Sequence, residues 1–131
     1  MNGPGRPRAV TVIAWVFVVV GAAGLLMDLW PLVTPGAARQ LAKLKADGVA
    51  DLGPAWTLRL AAIVGGVWLL RGRNWARWLL VAWMAIHVGI SAVHSWPEAL
   101  MHTAIFVPMI YFLFAGPGRL YFQASTGAAV E

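Results

Sequence analysis

The sequence contains no cysteine, which excludes disulfide bonds, thiolate metal sites and cysteine redox chemistry. Charged residues are also scarce, at 11% of the 131 residues, whereas 60% are apolar. This balance lies outside the range of soluble domains and indicates that the bilayer is the solvent of a single domain. Eight tryptophans against two tyrosines agree with this, because the indole ring concentrates at the membrane-water boundary.

The sequence has no lysine- and arginine-rich tract of the kind that follows a phosphate backbone. Its net charge is +5, but the basic residues flank apolar runs, which is a signal of membrane topology. We therefore expect the lipid bilayer, and not nucleic acid, as a partner. The sequence also lacks a nucleophile motif, a glycine-rich phosphate loop and a metalloprotease motif, so we do not expect an enzyme with a soluble substrate.

Four apolar stretches have about the length of membrane-spanning helices. They cover residues 9–30, 54–70, 75–95 and 97–115. The first also resembles a signal peptide, but its apolar run continues past the small residues Gly21 and Gly24, so we expect an uncleaved helix. The second is the weakest, because Arg59 interrupts it. Within it, Ala62 and Gly66 are four residues apart and let a neighbouring helix approach closely.

The connections between these stretches are polar. The basic hairpin at residues 71–78 joins two antiparallel spans. In the longer polar loop, residues 31–53, the spacing of Arg39, Lys43 and Asp47 predicts a short amphipathic helix. This helix lies either on the bilayer surface or in a solvated loop. The small, polar residues 123–131 predict a mobile tail.

The distribution of basic residues predicts that both termini lie in the cytoplasm, an N-in and C-in topology. The cytoplasmic set is then Arg6, Arg8, Arg71, Arg73, Arg77 and Arg119, against Arg39, Lys43, Lys45 and Arg59 outside. The tryptophans fit two interfacial belts, an outer one of Trp30, Trp56 and Trp96 and an inner one of Trp75 and Trp78. The predicted architecture is an all-α, four-helix transmembrane bundle with a surface helix in its first external loop.

Three segments of the chain resemble a loose group of small, uncharacterised bacterial four-span membrane proteins that are similar to the DoxX-like bundles. The segments are "RPRAVTVIAWVFVVVG", "RGRNWARWLL" and "FLFAGPGRLYF". The resemblance implies a four-helix bundle in the bacterial inner membrane. It implies no catalytic residues.

Three charged residues are expected at similar depth near the outer ends of the spans. Asp28 precedes Trp30, Arg59 follows Trp56, and Glu98 follows Trp96. An ion pair of Arg59 with Asp28 or with Glu98 would make the arginine tolerable in a span. Such a pair is either an interfacial clamp between helix ends, which we favour, or part of an ion or substrate pathway.

The histidines are the main candidates for a site. His87 and His94 are seven residues apart and share one stripe of the third span, and Glu98 and His102 are four apart on the fourth. If the two faces meet, the four side chains converge. They would suit zinc, copper or iron, or a haem or chlorin held by two imidazoles, or a proton relay or quinone contact. The alternative is that each histidine only forms hydrogen bonds within the bundle; His87 is the strongest candidate.

These features allow three functional interpretations. The first is a small accessory or scaffold subunit that packs against other membrane protein subunits or self-associates. The second is a membrane cofactor-binding protein that uses the histidine and carboxylate cluster, although the sequence identifies no cofactor. The third is a small transporter. All three are multi-pass proteins, and we expect the bacterial inner membrane as their location.

Overall fold

The computed structural model describes residues 5–39, 42 and 52–127, and in this part of the chain all regular structure is helical. The helices with defined bounds are α1 (Arg8–Val33), α2 (Leu52–Leu70), α3 (Asn74–His94), α4 (Trp96–Phe114) and α5 (Gly116–Gly127). The all-α prediction is confirmed for the described residues.

Three of these helices, α1, α3 and α4, are long and apolar enough to cross a membrane. They contain 26, 21 and 19 residues. The apolar part of α2, Ala55–Leu70, is shorter. The prediction of transmembrane helices is therefore confirmed by length and composition for three of the four expected stretches.

The long polar loop between the first two helices differs from the sequence-based expectation in its bounds. The loop predicted at residues 31–53 is shorter, because α1 continues through Pro31 to Val33 and α2 begins at Leu52. The core of the predicted amphipathic helix, including Lys43 and Asp47, lies outside the described residues.

The chain also forms a helix, α5, that the sequence analysis did not predict. The fourth apolar stretch was expected to end at residue 115, with no helix after it. Gly116 instead takes a φ of 54° and redirects the chain into α5, which continues to Gly127. The predicted tail at residues 123–131 is therefore helical in its first part, and residues 128–131 lie outside the described residues.

The basic hairpin between α2 and α3 forms where α2 ends at a glycine. Gly72 takes a φ of 72°, which a glycine adopts without steric cost. The N–H of Arg73 donates to the carbonyl of Trp68 at 3.1 Å, and that of Gly72 donates to the carbonyl of Leu69 at 3.1 Å. This is the bond pattern of a Schellman motif, which satisfies the last carbonyls of α2 and reverses the chain.

The four long helices in the described part of the chain alternate in direction. At one end, Arg6 Nη1 donates to the carbonyl of Leu70 at 2.9 Å, which places the start of α1 beside the end of α2. Arg77 Nη1 donates to the carbonyl of Leu113 at 3.4 Å, which places the start of α3 beside the end of α4. We call this the arginine end. The guanidinium of Arg77 also lies 5.3 Å from the ring of Phe122, so it holds α5 against the same end.

The hydrophobic core fills the half of the bundle next to the arginine end. Its buried side chains are Val10, Ala14, Phe17, Ala62, Leu69, Ala76, Leu80, Met84, Met109, Leu113 and Phe122. The opposite half, where α1 and α3 end and α2 and α4 begin, is called the histidine end. It contains the Asp28 and Arg59 side chains and the three histidines, so the two halves of one bundle differ in chemistry.

Small residues set the closest helix contacts. A Cβ added at Gly66 of α2 would lie 2.7 Å from the carbonyl oxygen of Ala14, and one added at Gly21 of α1 would lie 2.8 Å from that of Arg59. The backbones of α1 and α2 are therefore in close contact at these two glycines. In contrast, α1 and α4 contact each other sparsely. The bundle is consequently tight on its α1–α2 side and open on its α1–α4 side.

Candidate functional site

An ion pair joins α1 and α2 at the histidine end. Arg59 Nε lies 2.6 Å from Asp28 Oδ2, and Arg59 Nη2 donates to Asp28 Oδ1 at 2.9 Å. The pair thus combines one charge-assisted hydrogen bond, from Nη2, with a second close contact between the opposite charges at Nε. Of the two pairs that the sequence left open, the structure forms this one. Glu98 is exposed and has no ion-pair partner among the described residues.

Glycine makes room for this ion pair. A Cβ on Gly24 would overlap the Arg59 guanidinium, so the arginine reaches Asp28 in its present position across the space that this glycine leaves. Gly21, Gly24 and Asp28 follow a three- and four-residue spacing and share one face of α1. Sequence reasoning missed this function of the two glycines, although the spacing that indicates it is present.

His87 lies on α3, at the histidine end of the bundle. Its Nδ1 is 3.1 Å from the carbonyl oxygen of Trp83, and its ring stacks on that of Trp83 with centroids 3.8 Å apart. Because a carbonyl oxygen only accepts hydrogen bonds, we assign the hydrogen of the neutral ring to Nδ1. The other nitrogen, Nε2, then carries a lone pair and has no hydrogen-bond partner in the described part of the chain.

His102 on α4 is held in the same way. Its Nδ1 lies 2.9 Å from the carbonyl oxygen of Glu98 and 3.0 Å from Ser91 Oγ. Because the carbonyl oxygen only accepts, we assign the hydrogen to Nδ1 here too, shared between these two oxygens. Ser91 is buried, with 6% of its surface exposed. The ring centroids of His102 and His87 are 6.0 Å apart. Both imidazoles are thus fixed, and both present Nε2.

The other two members of the predicted cluster do not join this pair. His94 is exposed, and its Nδ1 donates to the carbonyl of Ile90 at 2.9 Å. The exposed Glu98 carboxylate lies in the first turn of α4, where a negative charge is favourable. Among the described residues, no group of three or more histidine, aspartate or glutamate side chains is arranged to hold a metal ion. The structure therefore brings together two of the four residues.

A cavity of about 370 Å³ lies where the two histidines approach each other. We call it the histidine chamber. Its lining includes Gly21, Leu58, Arg59, Trp83, His87 and His102, so α1, α2, α3 and α4 all contribute. Its volume is within the range of about 300 to 1,000 Å³ that is typical of small-molecule sites.

The polar groups of the chamber define what it can bind. Trp83 Nε1 already donates to the carbonyl of Leu58 at 2.6 Å, and Arg59 is engaged by Asp28. The Nε2 lone pairs of His87 and His102 are left for a ligand, and they accept hydrogen bonds while the rings are neutral. The chamber therefore matches a ligand that donates hydrogen bonds, such as a hydroxyl compound. Two imidazoles fall short of the three protein ligands typical of a catalytic zinc site.

The predicted tryptophan belts lie at both ends of the bundle. At the histidine end Trp30 and Trp96 are exposed and Trp56 is half-buried, and at the arginine end Trp75 and Trp78 are exposed. Trp78 packs edge-on against Phe114 at 4.7 Å between centroids. The indoles at each end are thus available to an interface.

No protein-family model, curated protein or solved structure matches this chain. The geometry of the histidine end is accordingly the observation that bears on function.

Proposed function

We propose that this chain is a four-span protein of the bacterial inner membrane, with both termini in the cytoplasm. The antiparallel alignment of α2 with its neighbours supports a fourth span, and pairing with Asp28 neutralises Arg59, the charge that interrupts it. The concentration of arginines at the arginine end supports a cytoplasmic position for that end. The exposed tryptophans at both ends, and the resemblance to small bacterial four-span proteins, support the same placement.

Within this architecture, the protein binds a small ligand in the histidine chamber, where His87 and His102 contact it. One observation supports this above the others. Two imidazoles from different helices are each fixed through Nδ1 and line one cavity, and Nε2 of each has no partner among the described residues. Holding one ring nitrogen on a carbonyl is how proteins orient an imidazole toward a ligand.

The accessory or scaffold subunit suggested by the sequence stays the second candidate. Large apolar side chains are exposed along α1, α2, α3 and α4, which a contact with a partner subunit would use. Contact with lipid requires the same apolar exterior. This surface therefore does not distinguish a protein that binds a partner subunit from one that contacts only lipid. The histidine chamber is not required by a scaffold, and for this reason we rank ligand binding first.

The test uses the purified protein in mild detergent. We expect a stoichiometric small molecule in the wild-type protein, identified by solvent extraction with mass spectrometry and by absorbance and elemental analysis of the same sample. In His87→Ala and His102→Ala, we expect its amount to fall by roughly tenfold or more, because each variant removes a hydrogen bond in a water-poor site worth about 1.4 kcal/mol or more.

His94→Ala is the matched control. His94 forms the same bond to its own helix but does not line the chamber, so this variant should retain the ligand. A Soret band would identify the ligand as haem, and stoichiometric metal would identify a metal site. Loss of the ligand in His94→Ala to the same extent, or a colourless and ligand-free protein that co-purifies with large partners, would reject ligand binding and favour the accessory subunit.

A further inference from the structure

A second cavity lies on the open side of the bundle. It is a groove of about 380 Å³ between α1 and α4, and its lining includes Val12, Val16, Phe17, Ile105, Pro108 and Phe112. All of these side chains are apolar, and several are about half exposed. We call it the lateral groove. In a bilayer it faces the hydrocarbon region, since α1 and α4 are both of membrane-spanning length.

The lateral groove continues the histidine chamber along the same two helices. On α1, Val16 lines the groove and Val20 lines the chamber; on α4, Ile105 lines the groove and His102 lines the chamber. Residues three or four apart are one helical turn apart, about 5 Å along the axis. A polar chamber and an apolar groove are therefore stacked end to end at the seam where α1 and α4 contact each other least.

This arrangement fits a ligand with a small polar head and a single apolar chain. The groove, at about 380 Å³, holds less volume than one turn of a helix about 10 Å across, so a partner helix would rest on its rim without entering. The head must offer hydrogen-bond donors, because the two Nε2 atoms accept. It must also be uncharged, because Asp28 already neutralises the charge of Arg59, so an anionic head would find no net positive charge among the described lining residues.

We propose that the ligand of the histidine chamber is a single-chain lipid with an uncharged hydroxyl head. Its head bonds to His87 and His102, and its chain lies in the lateral groove. It enters sideways from the bilayer between α1 and α4. This inference rests on the proposed function and adds the chemical class of the ligand and its route.

The test uses two photoreactive probes in phosphatidylcholine vesicles that contain the full chain. One is hexadecanol with a diazirine in its chain; the other is the corresponding hexadecyl sulfate, which is always anionic. After irradiation, mass spectrometry measures the labelled fraction and locates the modified residues. We expect the alcohol to label the groove-lining parts of α1 and α4, and the sulfate to label them several-fold less.

Two variants separate the groove from the rest of the surface. Val16→Trp places a large side chain in the groove, and we expect it to lower labelling by the alcohol roughly tenfold, because several methylene groups lose their burial. Val19→Trp is the control. Val19 is also exposed on α1 but is not part of the lining of the groove or the chamber, so labelling should be unchanged.

Equal labelling of Val16→Trp and Val19→Trp would show that the lipid chain does not lie in the lateral groove. Equal labelling by the alcohol and the sulfate would show that the site does not require an uncharged head. The proposed function fails separately. If His87→Ala leaves both the co-purified ligand and the labelling unchanged, the histidines do not bind the head. If His87→Ala removes the ligand while Val16→Trp is labelled as strongly as the wild-type protein, the proposal of ligand binding is supported and the lipid-chain inference is wrong.

Discussion

Replacing Asp28 with alanine is expected to lower the free energy of unfolding by about 2 to 3 kcal/mol, because it leaves the partly buried guanidinium of Arg59 in α2 without its counter-charge. Arg59 loses both of its short contacts, at 2.6 and 2.9 Å, and cannot shed its charge. The side chains of Arg59 and Asp28 are 34% and 21% exposed, so the expected loss is below that of a fully buried pair. Unfolding by sodium dodecyl sulfate titration from a mild detergent measures it.

The double variant Asp28→Ala with Arg59→Leu makes this test specific. Removing both charges together should recover most of the loss, because no uncompensated charge remains. Glu98→Ala is the matched control, since Glu98 is exposed and has no ion-pair partner in the described chain; a change of less than about 0.5 kcal/mol is expected. Equal stability of Asp28→Ala and Glu98→Ala would show that the ion pair does not hold α1 to α2.

Replacing Gly66 with alanine is expected to destabilise the protein by about 2 kcal/mol, although alanine favours a helix more than glycine does. The added methyl group would lie 2.7 Å from the carbonyl oxygen of Ala14 and 2.8 Å from Val18 Cγ2. The first of these atoms is backbone, so α1 and α2 must separate to admit the methyl group. The same detergent titration reports the loss.

Gly89→Ala is the matched substitution on α3. A Cβ at Gly89 meets nothing within 4 Å, so only the helix preference applies and the variant should be more stable by about 0.5 to 1 kcal/mol. The two glycine variants are therefore expected to have effects of opposite sign. A stabilising Gly66→Ala would contradict the close approach of α1 and α2.

The tertiary structure divided the polar residues that the sequence had grouped. His87, His94, Glu98 and His102 satisfied the same helical spacing rule, but spacing says only which residues share a face and not which face meets a neighbour. In the structure, His87 and His102 line the histidine chamber together, whereas His94 and Glu98 are exposed. Similarly, Arg59 had two carboxylate candidates at similar depth, and the close packing of α2 on α1, which carries Asp28, decided between them.

The helices of this protein were largely determined by the sequence alone, whereas its site was not. Length, apolar composition and flanking basic residues are local properties, and a bilayer requires each spanning segment to satisfy its own backbone hydrogen bonds. Hence the bounds of α1, α2, α3 and α4 could be predicted to within about three residues. α5 was missed because its first turn depends on the positive φ of Gly116 and on contacts of Phe122 with distant residues.

The lateral groove and the histidine chamber are consequences of helix pairing. They exist because α1 packs closely on α2 through glycines and only sparsely on α4, which no single segment specifies. The sequence by itself determined a helical membrane protein with histidines in its spans. Only the packing of the helices decided which two histidines share a cavity, since that depends on the distances between segments far apart in the chain.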